Sequence, residues 1–342
     1  MRASLLKRGL PFCCTIFLFL QQALYAQVIS NNGAVIITSS GGVTVTKDIQ
    51  NTTGTVTNNG TIQLTGNYTN GETTNGSGTF NFNGTTAQTI GGSTPSSFGI
   101  LDINNSVGVS LLSVQTAATL TIGDVTANSI FSDGGFQLTS SGTLNLASGT
   151  FKLGSTSTAT TYPGFGTNSI TAGTTVEYAS GVAQTVSGSP TYANLTISNA
   201  SAPTNYKTAA AQLTVNGTLT INSGNTLDMQ GFSGSTFASG NNNGSVRWSA
   251  SNYYVAGIGT TEFYSSTSGN IAAGADYGNI WISGSNKSIQ AGVSVTAHGA
   301  TAAFGVTVDG SLTVANTGSL TVTGMDLVNN GTITNNGSIT VQ

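Results

Sequence analysis

Gly78-Thr79-Phe80-Asn81-Phe82, Ala87-Gln88-Thr89-Ile90 and Phe98-Gly99-Ile100-Leu101-Asp102-Ile103 form the stretch that decides the fold, because imperfect copies of it return twice. The second copy is Thr175-Val176-Glu177-Tyr178, Ala183-Gln184-Thr185-Val186 and Tyr192-Ala193-Asn194-Leu195-Thr196-Ile197. The third and weakest is Thr261-Glu262-Phe263-Tyr264, Asn270-Ile271 and Tyr277-Gly278-Asn279-Ile280-Trp281-Ile282. Apolar and polar residues alternate within each run, and Gly, Ser and Asn separate the runs, which is the pattern of half-buried strands between tight turns. Ile103 and Ile197 are 94 residues apart, and Ile197 and Ile282 are 85 apart. Such long periods describe units of several coils, each burying its apolar face against the next.

Working outward, the same grammar fills the rest of the chain. Upstream lie Ala34-Val35-Ile36-Ile37, Val43-Thr44-Val45-Thr46 and Thr61-Ile62-Gln63-Leu64-Thr65, punctuated by Asn-Gly and Gly-Gly pairs. The expectation at those pairs is a turn needing positive φ. A turn-and-strand word, Gly-Ser/Thr-Leu-Thr-Val/Ile, follows each copy, as in Gly217–Ile221, Gly310–Val314 and Gly318–Val322. Near the end Asn329-Asn330-Gly331-Thr332-Ile333-Thr334 is repeated at once by Asn335-Asn336-Gly337-Ser338-Ile339-Thr340, and the pattern stops at Gln342. An uncovered last coil offers unpaired backbone groups to another strand. The expectation is head-to-tail self-association, or continuation in a longer chain.

The first residues read differently. Arg2, Lys7 and Arg8 precede the apolar run Leu10–Leu20, and a small residue closes the segment at Ala26. This is the form of a secretory signal peptide over 1–26. The run is too short for a mature membrane span, so no integral membrane segment is expected in 27–342. Cys13 and Cys14 both lie in the leader and neither suits a lipid anchor, so the mature chain has no disulfide or thiolate metal site to rely on. Its five cations, Lys47, Lys152, Lys207, Arg247 and Lys287, face eleven acidic residues. No basic patch exists for phosphates, which excludes nucleic acid as a partner. Charged residues make up 6% of the chain, against roughly 25% in ordinary globular domains, so Ser, Thr and Asn must carry solubility.

Taken together, the Ala-Gln-Thr-Ile/Val word followed by an aromatic residue and the Asn-Leu-Thr-Ile word give the mature chain a resemblance. It resembles the repeat-rich β-solenoid regions of secreted bacterial surface proteins, the filamentous-haemagglutinin-like and autotransporter-passenger-like adhesins. The resemblance implies an extracellular stalk or adhesive fibre. It departs from that pattern in showing no C-terminal barrel or sorting domain.

Chemistry-bearing residues are sparse. The single histidine, His298, lies beside a turn and reads as a solvated or hydrogen-bonded side chain. Glu177 and Glu262 fall at different positions of the aligned copies, so the repeats do not build a glycosidase-type carboxylate pair. Asp and Asn at turns could supply oxygens to calcium, but neither a Gly-Gly-x-Gly-x-Asp nonapeptide nor an EF-hand loop occurs. No metal site and no cofactor is assigned. Thr-x-Thr pairs are spaced too irregularly for a flat ice-binding array. The densest aromatic cluster is Arg247, Trp248, Tyr253 and Tyr254, read either as a hairpin whose rings pack across strands or as a sugar-stacking surface. Trp281 takes a position that is polar in the other copies and should point outward.

The reading is therefore all-β: residues 27–342 form an elongated single-stranded β-solenoid, a right-handed parallel β-helix, with three imperfect repeats over about 78–172, 173–258 and 259–342. Val, Ile, Leu and Phe stack inside, and Ser, Thr and Asn lie outside. The expected role is a secreted, cell-surface, non-enzymatic adhesive or structural segment that meets surface glycans, other cells or its own copies. The alternative is a polysaccharide-binding or polysaccharide-cleaving β-helix using Arg247, Trp248, Tyr253, Tyr254 and Trp281.

Overall fold

The computed structural model describes residues 29–31, 33–124, 128–202, 204–299 and 305–342, together with the backbone of strands Ile16–Leu18 and Leu24–Ala26. Those two strands pair in parallel with Ala34–Ile37 and Gly42–Val45. The rest of the leader expected over 1–26, both cysteines included, lies outside the described residues. The protein is all-β, with no helix among the described residues, and its parallel strands stack as a β-solenoid of about 14 turns. Among the described residues no helix is long and apolar enough to cross a membrane. The chain divides into two compact units, residues 1–154 with 162–174 and residues 155–161 with 175–342.

In the first unit the alternating words become in-register ladders. Val43, Ile62, Phe80, Leu101, Leu120 and Leu144 stack rung on rung, as do Val45, Leu64, Phe82, Ile103, Ile122 and Leu146. All of these side chains are buried. Ile62 meets Phe80 18 residues on and Leu120 meets Leu144 24 residues on, so a coil varies in length only where its loops do. Because side chains alternate with a period of two, a one-residue slip would turn the whole ladder outward; the apolar pattern thus enforces the register. Tyr68, Phe80 and Phe98 fill the interior edge to face, with ring centroids 4.9–5.9 Å apart.

Asparagine is not confined to the surface as composition suggests. Asn31, Asn51 and Asn70 are buried and form an internal ladder. Asn31 Nδ2 donates to Asn51 Oδ1 at 2.8 Å, and Asn51 Nδ2 to Asn70 Oδ1 at 2.7 Å. Each amide also donates to a carbonyl further along the chain, at Thr55, Thr73 and Thr94. A coil must turn a corner on every rung, and the carbonyls freed there need buried donors that alternation cannot provide.

The Asn-Asn-Gly word has a related cause. Asn58 Oδ1 accepts from Gly60 N, Asn329 Oδ1 from Gly331 N and Asn335 Oδ1 from Gly337 N. These glycines do not have the positive φ expected of them. Their need is close approach: a Cβ on Gly60 would lie 2.1 Å from Gly41 O, and one on Gly331 2.1 Å from Gly310 O. Glycine lets one corner nest under the next.

In the second unit Val176 and Tyr178 stack on Leu195 and Ile197, which stack on Leu219 and Ile221. A second ladder runs through strands Gln184–Val186, Lys207–Ala209, Thr226–Asp228, Ser245–Trp248, Gly257–Phe263 and Gly274–Ile282. Here the Gln of the Ala-Gln-Thr word explains itself. Gln88 Nε2 donates to Leu64 O, and Gln184 Nε2 to Thr160 O, each fastening the preceding coil from inside. On the rung above Gln184, Lys207 takes over this task and donates from Nζ to Ser180 O and Val182 O. Lys287 does the same for Ser249 O and Thr267 O. Burial pulls the Lys207 ammonium down to about 8. Two of the five cations are thus interior pegs rather than surface charges.

Candidate functional site

The outward positions of the second unit's long ladder carry a close grouping of opposite charges. Each strand there alternates in and out, so the third residue of the four-residue words Thr226–Met229, Ser245–Trp248, Thr260–Phe263 and Asn279–Ile282 faces outward. The register places Asp228, Arg247, Glu262 and Trp281 in one column.

Arg247 is the centre of this column. Its Nε donates to Glu262 Oε2 at 2.6 Å, and its NH1 lies 3.6 Å from Asp228 Oδ2. The guanidinium sits between two rings, 4.5 Å from the Tyr206 centroid and 4.2 Å from that of Tyr264. Tyr264 in turn donates to Asp228 Oδ1 at 2.9 Å. Burial first, and then the Asp228 carboxylate, push the Tyr264 hydroxyl up to about 12. The second Glu262 oxygen accepts from Ser283 Oγ at 2.6 Å. The ion pairs and aromatic stacking thus satisfy the cluster internally. It has no unpaired acid and base facing each other, and its carboxylates are neutralised by the arginine between them.

Trp281 continues the column to a more open surface. It is 40% exposed, as expected from its place in the repeat. Its Nε1 donates to Asp309 Oδ2 at 2.7 Å, and Asp309 Oδ1 accepts from Asn330 Nδ2 at 2.9 Å. These two donors hold the Asp309 carboxyl below the usual range. The indole is therefore fixed at its edge by a carboxylate while much of its surface stays open.

The remaining predicted residues separate. Trp248 points inward and is fully buried, its Nε1 without a partner. It is therefore part of the core and not a stacking platform. No hairpin joins it to the tyrosines, because Ser245–Trp248 pairs in parallel with Thr226–Asp228 and Gly257–Phe263. Tyr253 packs edge-on against Phe237 with centroids 5.6 Å apart, and Tyr254 against Tyr277 at 4.8 Å. Sequence proximity misled here because a parallel coil sends adjacent residues to different faces, while residues a full turn apart become neighbours.

The same effect corrects the placing of the glutamates. Glu177 is paired with Thr196, and its Oε1 accepts from Ser198; Glu262 is paired with Trp281 and accepts from Ser283. Each thus bonds the serine two residues beyond its partner, so the two occupy equivalent places in their strands, one residue away from where the sequence copies align. Tyr206, Asp228 and Tyr264 are not among the site residues expected from the sequence. Aligning the four-residue words by their inward positions would have put Asp228, Arg247, Glu262 and Trp281 in one column.

Elsewhere, His298 is half exposed. Its Nε2 donates to Ala275 O at 2.7 Å, with Asp276 Oδ1 at 3.8 Å. Among the described residues no three His, Cys, Asp or Glu side chains gather as a metal-binding group. Comparison with protein-family models, with curated proteins and with solved structures finds no match to this chain.

Proposed function

We propose that the chain is a non-enzymatic structural and adhesive β-solenoid, secreted or held at a cell surface, that works through its outer face. The observation that carries this reading is the nature of that face. Outward side chains are mostly short hydroxyls and amides that fasten one coil to the next: Thr44 to Gln63, Thr89 to Asn67, Thr218 to Ser239, Ser288 to Asn270 and Ser319 to Ser294. Such a surface stays polar with few charges and presents many weak donors and acceptors, which suits repeated low-affinity contacts. The grouped charges of Asp228, Arg247 and Glu262 support the same reading, since they are engaged with one another rather than poised for proton transfer. Self-association of copies belongs to this proposal and would make sedimentation concentration-dependent.

A polysaccharide-binding role is favoured at one place, the exposed indole of Trp281 with Asp309 and Asn330 beside it. Sugar rings bind by stacking on such a face while polar neighbours take their hydroxyls. Retention of the purified chain on immobilised polysaccharides, followed with and without Trp281→Ala, tests both readings. If this face binds glycan, the variant loses about 30-fold in affinity, the ~2 kcal/mol typical of a hot-spot aromatic. If the wild-type chain is retained and the variant equally so, Trp281 is not the contact. Release of reducing ends from any polysaccharide would overturn the non-enzymatic reading.

A further inference from the structure

The outer face of the first unit contains a block of oxygen atoms that the fold leaves unanswered. Asn81 stands opposite Asp102, and one pair further on Phe82 stands opposite Ile103. The Asn104 N–H donates to Phe82 O at 2.8 Å, which sets Asn104 opposite Asn83. Four side chains, Asn81, Asn83, Asp102 and Asn104, therefore share one face as two rows a strand spacing apart, about 4.8 Å. The carboxamide oxygens of Asn81, Asn83 and Asn104 are each enclosed to less than 1 Å² of exposed surface, and none has a hydrogen-bond donor. Turning the Asn104 amide over is no remedy. Its Nδ2 donates to Asp102 Oδ2 at 3.0 Å, so the reversed group would set oxygen against oxygen.

Enclosed acceptors without donors are rare in folded proteins, and three on the face that also carries the Asp102 carboxylate call for a positive group. Asp102 has no ion pair among the described residues, and Asn104 provides its one side-chain hydrogen bond. On the next rung Thr121 faces Asp102, and the Gly123 N–H donates to Ile103 O at 2.8 Å. Gly123, with φ 72°, thus lies over Asn104 without a side chain to cover it. Asp124 follows, adding a second negative charge whose field reaches Asp102. Burial, partly countered by the Asn104 amide and reinforced by Asp124, pushes the Asp102 carboxyl up to about 6.

We propose that this block binds a divalent cation of the calcium type, with the carboxamide oxygens of Asn81, Asn83 and Asn104 and the carboxylate of Asp102 as ligands and water completing the shell. The donor set is all oxygen and mostly neutral, as calcium accepts in its flexible six- to eight-fold coordination. Magnesium requires a near-ideal octahedron, and softer metals prefer the nitrogen and sulfur ligands missing from this block. With so few formal charges the affinity belongs in the range of extracellular calcium modules, about 10⁻⁴ to 10⁻³ M. The ion would bind across neighbouring coils. The inference stands apart from the adhesive reading and does not need it.

Isothermal titration of calcium chloride into the chelator-stripped, purified chain near neutral pH tests it, with magnesium chloride run in parallel. Asp102→Asn and Asn81→Ala serve as variants, each checked for an unchanged β-type circular dichroism spectrum, and Asp276→Asn in the second unit serves as a control. The expected result is one site of about 0.1–1 mM for calcium, with magnesium weaker. Each first-unit variant should lose about ten-fold or more in affinity, while Asp276→Asn should bind as wild type. No calcium binding up to about ten times that range, or binding undiminished in Asp102→Asn, would overturn the proposal.

Discussion

Replacing Phe80 with alanine is expected to cost the first unit about 3–5 kcal/mol. Phe80 is 1% exposed and stacks between Ile62 and Leu101 on the rungs to either side. Its ring also meets Tyr68 and Phe98 edge to face, at 5.3 and 4.9 Å. Truncation would remove the transfer free energy of the ring and leave a hole between rungs that the ladders hold open. Parallel coils cannot close toward each other without breaking the backbone spacing of about 4.8 Å. Phe80→Leu should cost much less, since most of the volume remains. Urea unfolding of the two variants would show the difference in midpoint. Hydrogen exchange should place the loss near rungs 61–64 to 97–103, because repeat stacks transmit stability mainly to nearest neighbours. A Phe80→Ala chain as stable as wild type would mean that the side chain is not between rungs.

Arg247→Met is the second large effect, expected to destabilise the second unit by about 3 kcal/mol. The arginine has three simultaneous partners in Glu262, Asp228 and the paired rings of Tyr206 and Tyr264. Its side chain is 15% exposed, and those of Glu262 and Asp228 are 10% and 11% exposed. Methionine would preserve much of the packing between the rings but leave two enclosed carboxylates without a cation. The loss would therefore come from leaving charge buried without its partner rather than from a missing volume. Arg247→Met combined with Glu262→Gln should recover part of it at pH 7. Thermal unfolding of the wild-type chain and both variants checks this, and a double variant no more stable than Arg247→Met would assign the effect to packing alone.

The sequence shows its strands more plainly than its site. Phe80, Val176 and their counterparts alternate so regularly that the inward set could be read directly, and the structure buries them all. Alternation says which face a residue takes but not how the backbone turns corners. That is why the interior roles of Asn31, Asn51, Gln88 and Lys207 were not legible: each answers carbonyls on a different rung. The column of Asp228, Arg247, Glu262 and Trp281 was hidden for the same reason. Its members are 15 to 19 residues apart in sequence, and only the register makes them neighbours. Arg247 and Trp248, adjacent in sequence and grouped together on that account, point to opposite sides of one strand.

Cysteine cross-linking reads that register most directly. With cysteines at Thr121 and Asn145, outward-facing partners on successive rungs of the first unit, residues 27–342 carry no other thiol. The Cα atoms would lie about 4.8 Å apart, within disulfide reach. Mild oxidation of the folded chain should close this bond nearly completely, while a Thr121 and Ser169 pair, two rungs apart at about 10 Å, should stay reduced. Equal reactivity of the two pairs, or closure of the distant one alone, would contradict a chain built rung on rung in parallel.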